Sequence, residues 1–213
     1  TCALPILKID SFSIEGIHYS NEDSLSVLQI TDNKVIAVLA DGMGGLTFGK
    51  VAADLIVNSI TDFVCEHEGK LAVQDLLNQA LEYADEMVSQ KSLVTHSKMG
   101  AAVAVAFIDG SNIHYTWQGN VRIYLWGHGK VAQLTSDHTL DVGYGKQLLT
   151  RCIKGAGIRP DVPYQCEKAN TGSVLLLCTD GLYKQIEVCQ VFDKALPIDG
   201  KYEDDASLIK IEL

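Results

Sequence analysis

The sequence has little proline, few basic residues and no long apolar run. Its four prolines are not gathered with serine or glycine, so no linker divides the 213 residues. Seventeen lysines and arginines face 27 aspartates and glutamates, giving a net charge of −10. That imbalance argues against a nucleic-acid groove or an anionic membrane surface as the main partner, since both require clustered cationic side chains. No stretch approaches the roughly 20 apolar residues that span a bilayer. The opening TCALPILKID is interrupted by Pro5 and Lys8 and does not read as a secretory leader. Six cysteines are present, but none forms a C-x-x-C pair, which removes the usual zinc spacing. Cys65 and Cys178 lie inside apolar runs and are expected to be buried free thiols. These features together predict a soluble, monomeric, cytoplasmic protein folded as one domain over residues 1–213.

Apolar residues make up 47% of the chain, enough for a sizeable core. Residues 5–15 and 24–31 suit short strands. KVIAVLA at 34–40 is apolar without alternation, as in a strand buried on both faces. In residues 48–67, Val51, Leu55, Ile56, Ile60 and Phe63 recur at steps of three and four, the spacing of an amphipathic helix. Residues 71–90 repeat that pattern, and Gly69 separates the two, predicting an antiparallel helix pair. Hairpins are expected at DGSN (109–112) and GHGK (127–130), and a short helix at 145–154. SVLLLC and the final SLIKIEL complete the strands. Adjacent hairpins exclude an all-parallel sheet. The predicted class is α+β, a four-layer α-β-β-α sandwich of two mostly antiparallel sheets with helices packed outside.

Two apolar runs end in the same way. VIAVLADG delivers Asp41 before Gly42, and SVLLLCTDG delivers Asp180 before Gly181. A carboxylate forced from water at a strand end is costly unless it is paired or bound to a metal. The glycines allow close backbone approach, and one could offer its carbonyl as a donor. NED adds Glu22 and Asp23, and YEDDAS adds Glu203, Asp204 and Asp205. Asp-Gly alone is an ordinary turn. The signal is four acidic segments, each at the edge of a β run. Oxygen donors without a nearby Cys/His set favour hard cations such as Mg²⁺ or Mn²⁺.

In order, NEDS (21–24), DGMGGLTFGKVAAD (41–54), MGAAVAVAFI (99–108), GNVRIYLW (119–126), LTSDHTL (134–140), LLLCTDGLY (175–183) and DDASLIKI (204–211) resemble the motifs of one family. The chain is similar to compact bacterial members of the metal-dependent Ser/Thr protein phosphatases of the protein phosphatase 2C type. The resemblance implies hydrolysis of phosphoserine and phosphothreonine in proteins by a hydroxide bridging two divalent cations, Mn²⁺ or Mg²⁺. It implies that Asp41 bridges both cations, that the Gly42 carbonyl binds one, and that Asp180 and Asp204 hold the other. Glu22 and Asp23 would act largely through bound water. The implied partners are phosphorylated proteins, among them a cognate Ser/Thr kinase or its substrates.

The chain departs from the family pattern in several places. His18 stands where an arginine usually holds the substrate phosphate, and it is the candidate for that role here. Asn120 replaces an aspartate that helps bind a third metal, so a third site is expected to be weak or absent. Met43 stands where many eukaryotic members have a histidine, leaving the leaving-group proton to another source. The stretch from His138 to Val174 is short where relatives carry a flap, as is the span between Asp180 and Asp204. His138 is expected to be structural, Arg122 to pair with an acid, and Trp117 and Trp126 to pack. These departures keep open an alternative, a degenerate and catalytically weak relative that binds phosphoproteins or a kinase. A domain merely stabilised by cations is a third reading.

Overall fold

The computed structural model describes residues 7–43, 48–143, 146–193 and 200–213. One five-stranded antiparallel sheet contains β2 (Ser24–Thr31), β3 (Lys34–Gly42), β4 (Ala101–Asp109), β5 (Asn112–Gln118) and β10 (Tyr164–Lys168), in the order β10-β5-β4-β3-β2. A second contains β1 (Lys8–Ile14), β6 (Arg122–Gly127), β7 (Lys130–Gln133), β11 (Val174–Cys178) and β12 (Ala206–Glu212), in the order β1-β12-β11-β6-β7. A two-stranded ribbon pairs β8 (Thr139–Asp141) with β9 (Gln147–Leu149).

The unbroken apolar character of β3 reflects burial on both faces. Ile36, Val38 and Ala40 point toward the helices, while Val35, Ala37 and Leu39 point toward the other sheet. Alternate side chains of a strand face opposite ways, so a strand between two layers needs both sets apolar. The long helices α1 (Gly49–His67) and α2 (Val73–Thr95) cover the β3–β4 face with Ile56, Ile60, Leu77 and Leu81, all fully buried. Gly69, at φ +75°, makes the turn between them. Among the described residues, no helix is long and apolar enough to cross a membrane.

The expected α-β-β-α layering is present, but its two helical layers are unequal. The outer face of the β11–β12 sheet is covered by the short helices α3 (Asp180–Tyr183) and α4 (Cys189–Asp193), through Leu182 and Val191. Both predicted hairpins form, with Asp109 opposite Asn112 and Gly127 opposite Lys130.

Two expectations are overturned. The helix predicted at 145–154 is replaced in its described part by β9 and by an Ile153–Ala101 bridge, with backbone hydrogen bonds of 2.9 and 3.0 Å in the two directions. Buried Ile153 gains more by plugging the β4 end than by completing a helical turn. Cys178 is buried as expected, but Cys65 lies on the outward side of α1 and is exposed.

Candidate active site

The strand register gathers the acids at one rim of the sandwich. β3 ends at Asp41 and Gly42, opposite Ala102 and Ala101 at the start of β4. Ser24, directly after Glu22 and Asp23, opens β2 opposite Ala40. In the other sheet, Cys178 at the end of β11 faces Arg122 on one side and Leu208 on the other. Asp180, Asn120 and Asp204 therefore flank neighbouring strand ends.

Two glycines allow the final approach. A Cβ on Gly181 would overlap the Asp205 carbonyl oxygen, so only glycine lets α3 start against the loop carrying Asp204. A Cβ on Gly42 would stand 2.7 Å from the Glu22 carbonyl oxygen and 2.7 Å from the Gly49 carbonyl carbon. The Glu22 carboxylate lies against Gly49 at the N-terminus of α1, where peptide dipoles favour negative charge.

The resulting acidic group is under electrostatic stress. Burial pushes the Asp41 carboxyl well above the usual carboxylate range, and the charges of Asp23, Asp180 and Asp204 push it further. Asp23 is pushed up to about 8, first by burial and then by Asp205 and Asp180, against hydrogen bonds that favour its charged form. Asp204 and Glu22 are also raised, chiefly by burial and then by neighbouring carboxylates. The Thr179 hydroxyl donates to Asp23 Oδ2 at 2.9 Å, while the buried Asp23 Oδ1 has no partner. A buried, unpaired carboxylate oxygen among like charges is the situation that a bound cation relieves. The donors are all oxygens, a set whose chemistry suits hard divalent cations.

Asp180 differs from the rest. Its Oδ2 accepts from Asn120 Nδ2 at 3.0 Å and from Lys184 Nζ at 2.7 Å. Among the described residues, no three carboxylate, histidine or cysteine side chains already stand at mutual metal-ligand spacing. Asp205 is a brace: its oxygens accept from the backbone N–H of Gly16 at 2.8 Å and of Glu22 at 2.7 Å. Its signal was its place directly before a buried strand. The sequence reading missed Lys184 and Thr179. The spacing Asp180–Lys184, four residues apart, could have revealed the lysine.

His18 lies exposed on the loop after β1, and among the described residues it makes no side-chain hydrogen bond or ion pair, its nearest ring neighbour being Tyr19 with centroids 6.4 Å apart. The structure does not bring it into contact with the acids. His138 is structural in geometry: its Nδ1 accepts from the Gly119 N–H at 3.1 Å and its ring stacks on Trp117. Arg122 makes a two-pronged pair with Asp137 at 2.9 and 2.8 Å and lies 3.7 Å from the centre of the Tyr183 ring. The Tyr183 hydroxyl donates to the Asn120 carbonyl, tying α3 to the loop that presents Asn120. The stretch from His138 to Val174 supplies one wall: Thr139, Asp141 and Gln147 border a cavity of about 290 Å³ with Asn120, Asp180 and Lys184. Gly44 and Gly45 of the Asp-Gly-x-Gly-Gly motif lie outside the described residues.

The family model described as Protein phosphatase 2C matches residues 17–208. The chain belongs to the protein phosphatase 2C family. Its relatives include the serine/threonine phosphatase stp of Listeria welshimeri, 28% identical over 201 residues that cover 83% of this chain and 78% of that protein. The putative protein phosphatase of Mycoplasma pneumoniae is 26% identical over 83% of this chain and 79% of its own length. The fold is shared with the crystal structure of the Mycobacterium tuberculosis serine/threonine phosphatase PstP/Ppp, at a TM-score of 0.83 and 20% identity over 98% of this chain and 99% of that one. It is also shared with the catalytic domain of PstP in complex with two manganese ions, at a TM-score of 0.79 and 19% identity over 97% of each chain.

Proposed function

We propose that this protein phosphatase 2C family member removes phosphate from phosphoserine and phosphothreonine in proteins, with two divalent cations held by Asp41, the Gly42 carbonyl, Asp180 and Asp204. One observation carries the reading: at one sandwich rim, the carboxylates of Asp23, Asp180 and Asp204 all raise the cost of charge on the buried Asp41 carboxyl. Bound divalent cations supply an acidified water near neutral pH and positive charge for the phosphoryl oxygens. The chain's own residues hold and orient. Asp41 is fixed by its place in β3, and Asp180 by the start of α3. Asp205 and Thr179 brace Glu22 and Asp23 beside them. His18, on an exposed loop, is placed to meet substrate phosphate only if that loop turns toward the rim. Asn120 offers an amide in place of a carboxylate next to Asp180, which leaves a third cation weakly held. The whole acts as one catalytic unit, a cytoplasmic monomer whose substrates include a cognate kinase or that kinase's targets.

The test is hydrolysis of p-nitrophenyl phosphate and of a phosphothreonine peptide in Mn²⁺ or Mg²⁺. Asp41→Asn lowers kcat/KM at least about 100-fold on both, the scale of losing a charged group aimed at the transition state. Turnover that is indifferent to chelation overturns the reading. Mn²⁺ binding without turnover on any phosphopeptide favours the binding-module alternative, to which the engaged state of Asp180 lends support.

A further inference from the structure

Among the described residues, Lys184 is the one cationic side chain that forms an ion pair with any of Asp23, Asp41, Asp180 and Asp204. It reaches in from the end of α3, with its own side chain 57% exposed and that of Asp180 14% exposed. Its ammonium and the Asn120 amide fall on the same oxygen, Oδ2 of Asp180. An ammonium at 2.7 Å from a carboxylate oxygen stands where a cation bound to that oxygen would stand, and the two cannot share the place. The adjoining cavity lined by Asn120, Thr139, Asp141 and Gln147 leaves room for the lysine side chain to withdraw.

We propose that Lys184 is an internal counter-ion that occupies Oδ2 of Asp180 in the metal-free protein and competes with a divalent cation for that oxygen, so that it lowers the metal affinity of that side of the site. The proposal rests on the reading of Asp180 as a metal holder. Two effects act in one direction. The ion pair must break, and the released ammonium stays close enough to repel the incoming cation through a partly desolvated medium. Lys184 is a positioning residue here, since it acts on the cation through Asp180.

Mn²⁺ titrated calorimetrically into the metal-free protein, with its melting temperature followed in parallel, tests the idea. Lys184→Gln is expected to tighten the weaker Mn²⁺ step about three- to tenfold, the scale of removing a partly screened ion pair and a neighbouring like charge. It is also expected to lower the melting temperature of the metal-free protein, because Asp180 loses its partner. Lys184→Arg keeps the charge and stays within about twofold of the native Kd. In an Asp180→Asn background, the part of the Lys184→Gln gain that comes from breaking the ion pair disappears, because that part acts through one contact, and only the smaller part from ammonium repulsion is left. A Lys184→Gln variant with the native Mn²⁺ affinity overturns the proposal while leaving the metal site standing. Failure of the native protein to bind Mn²⁺ at all overturns the site itself.

Discussion

The two sheets reach the same rim under different cover. The β3–β4 sheet lies beneath two long helices, with Ile36, Val38 and Ala40 sealed against Ile56, Ile60 and Leu77. The β11–β12 sheet carries α3, α4 and loop side chains, with Tyr183, Ile186 and Phe192 only partly buried. The acids differ in the same way. On the heavily covered side, the carboxyls of Asp23 and Asp41 are desolvated, and among the described residues no cationic side chain pairs with them. On the lightly covered side, Asp180 holds a lysine and an amide. The heavily covered half holds carboxyls whose charge burial makes costly. The thin half carries the side chains that can exchange partners.

Truncating one leucine in each half should separate these roles. Leu77 in α2 and Leu182 in α3 are both fully buried. Leu77→Ala is expected to cost about 2–5 kcal/mol in urea unfolding, the range for an aliphatic core truncation, while leaving Mn²⁺ affinity within about twofold. Leu182→Ala is expected near the lower end of that range, about 2 kcal/mol, because its partly exposed neighbours can close the gap. It should weaken Mn²⁺ binding severalfold, since α3 begins with Asp180. Equal effects of the two changes on Mn²⁺ affinity would erase the contrast between the halves.

A smaller loss tests how the heavily covered half is tied down. The buried Asp85 on α2 accepts from the backbone N–H groups of Lys154, Gly155 and Gly157, at 3.1, 2.7 and 2.7 Å. Asp85→Ala leaves these donors without their acceptor and is expected to cost about 2–3 kcal/mol. Asp85→Asn keeps one acceptor oxygen and should cost about half as much. Hydrogen exchange checks the assignment: protection should fall at residues 154, 155 and 157 and persist in β4.

How much of this was readable in the sequence depended on how far each signal reaches. The burial of β3 on both faces and the periodicity of α1 and α2 are local patterns, and both appear where expected. The DGSN turn was also local, with Gly110 taking φ +60°. Asp41 and Asp180 were legible because a charge at the end of an apolar run needs a reason. The 145–154 segment was misread because its fate depends on Ala101, some fifty residues away. Cys65 was misread because it sits within an apolar helix run but on its outward side, so average hydrophobicity outweighed phase. The thin outer layer arises from contacts between segments, and no window of sequence displays it, whereas the lysine on Asp180 lies four residues along the same segment and was overlooked.

The smallest expected effect concerns pH, and it joins the two halves at His138. Its ring stacks parallel to Trp117 of β5, at a centroid distance of 5.6 Å, and supports the loop that leads to Asn120. Burial holds the imidazole below its ordinary pKa, with Arg151 adding to the effect. Protonation would also set an Nδ1–H against the Gly119 N–H. A base with a depressed folded pKa contributes stability that is complete above its unfolded value, near 6.5, and that is lost as pH falls below it. Asp23 works in the opposite sense. Its folded pKa of about 8 lies above the ordinary 3.8, so the metal-free protein loses stability as pH rises between those values. A single melting curve against pH mixes the two trends, and comparison with His138→Asn separates them. Asparagine can still accept from Gly119 but does not titrate. The native protein should therefore lose no more than about 1 kcal/mol relative to this variant between pH 7.5 and 5.5, the worth of one hydrogen bond. A difference that stays flat with pH would mean that His138 titrates equally in the folded and unfolded chains, and the loop beneath Asn120 would then need another support.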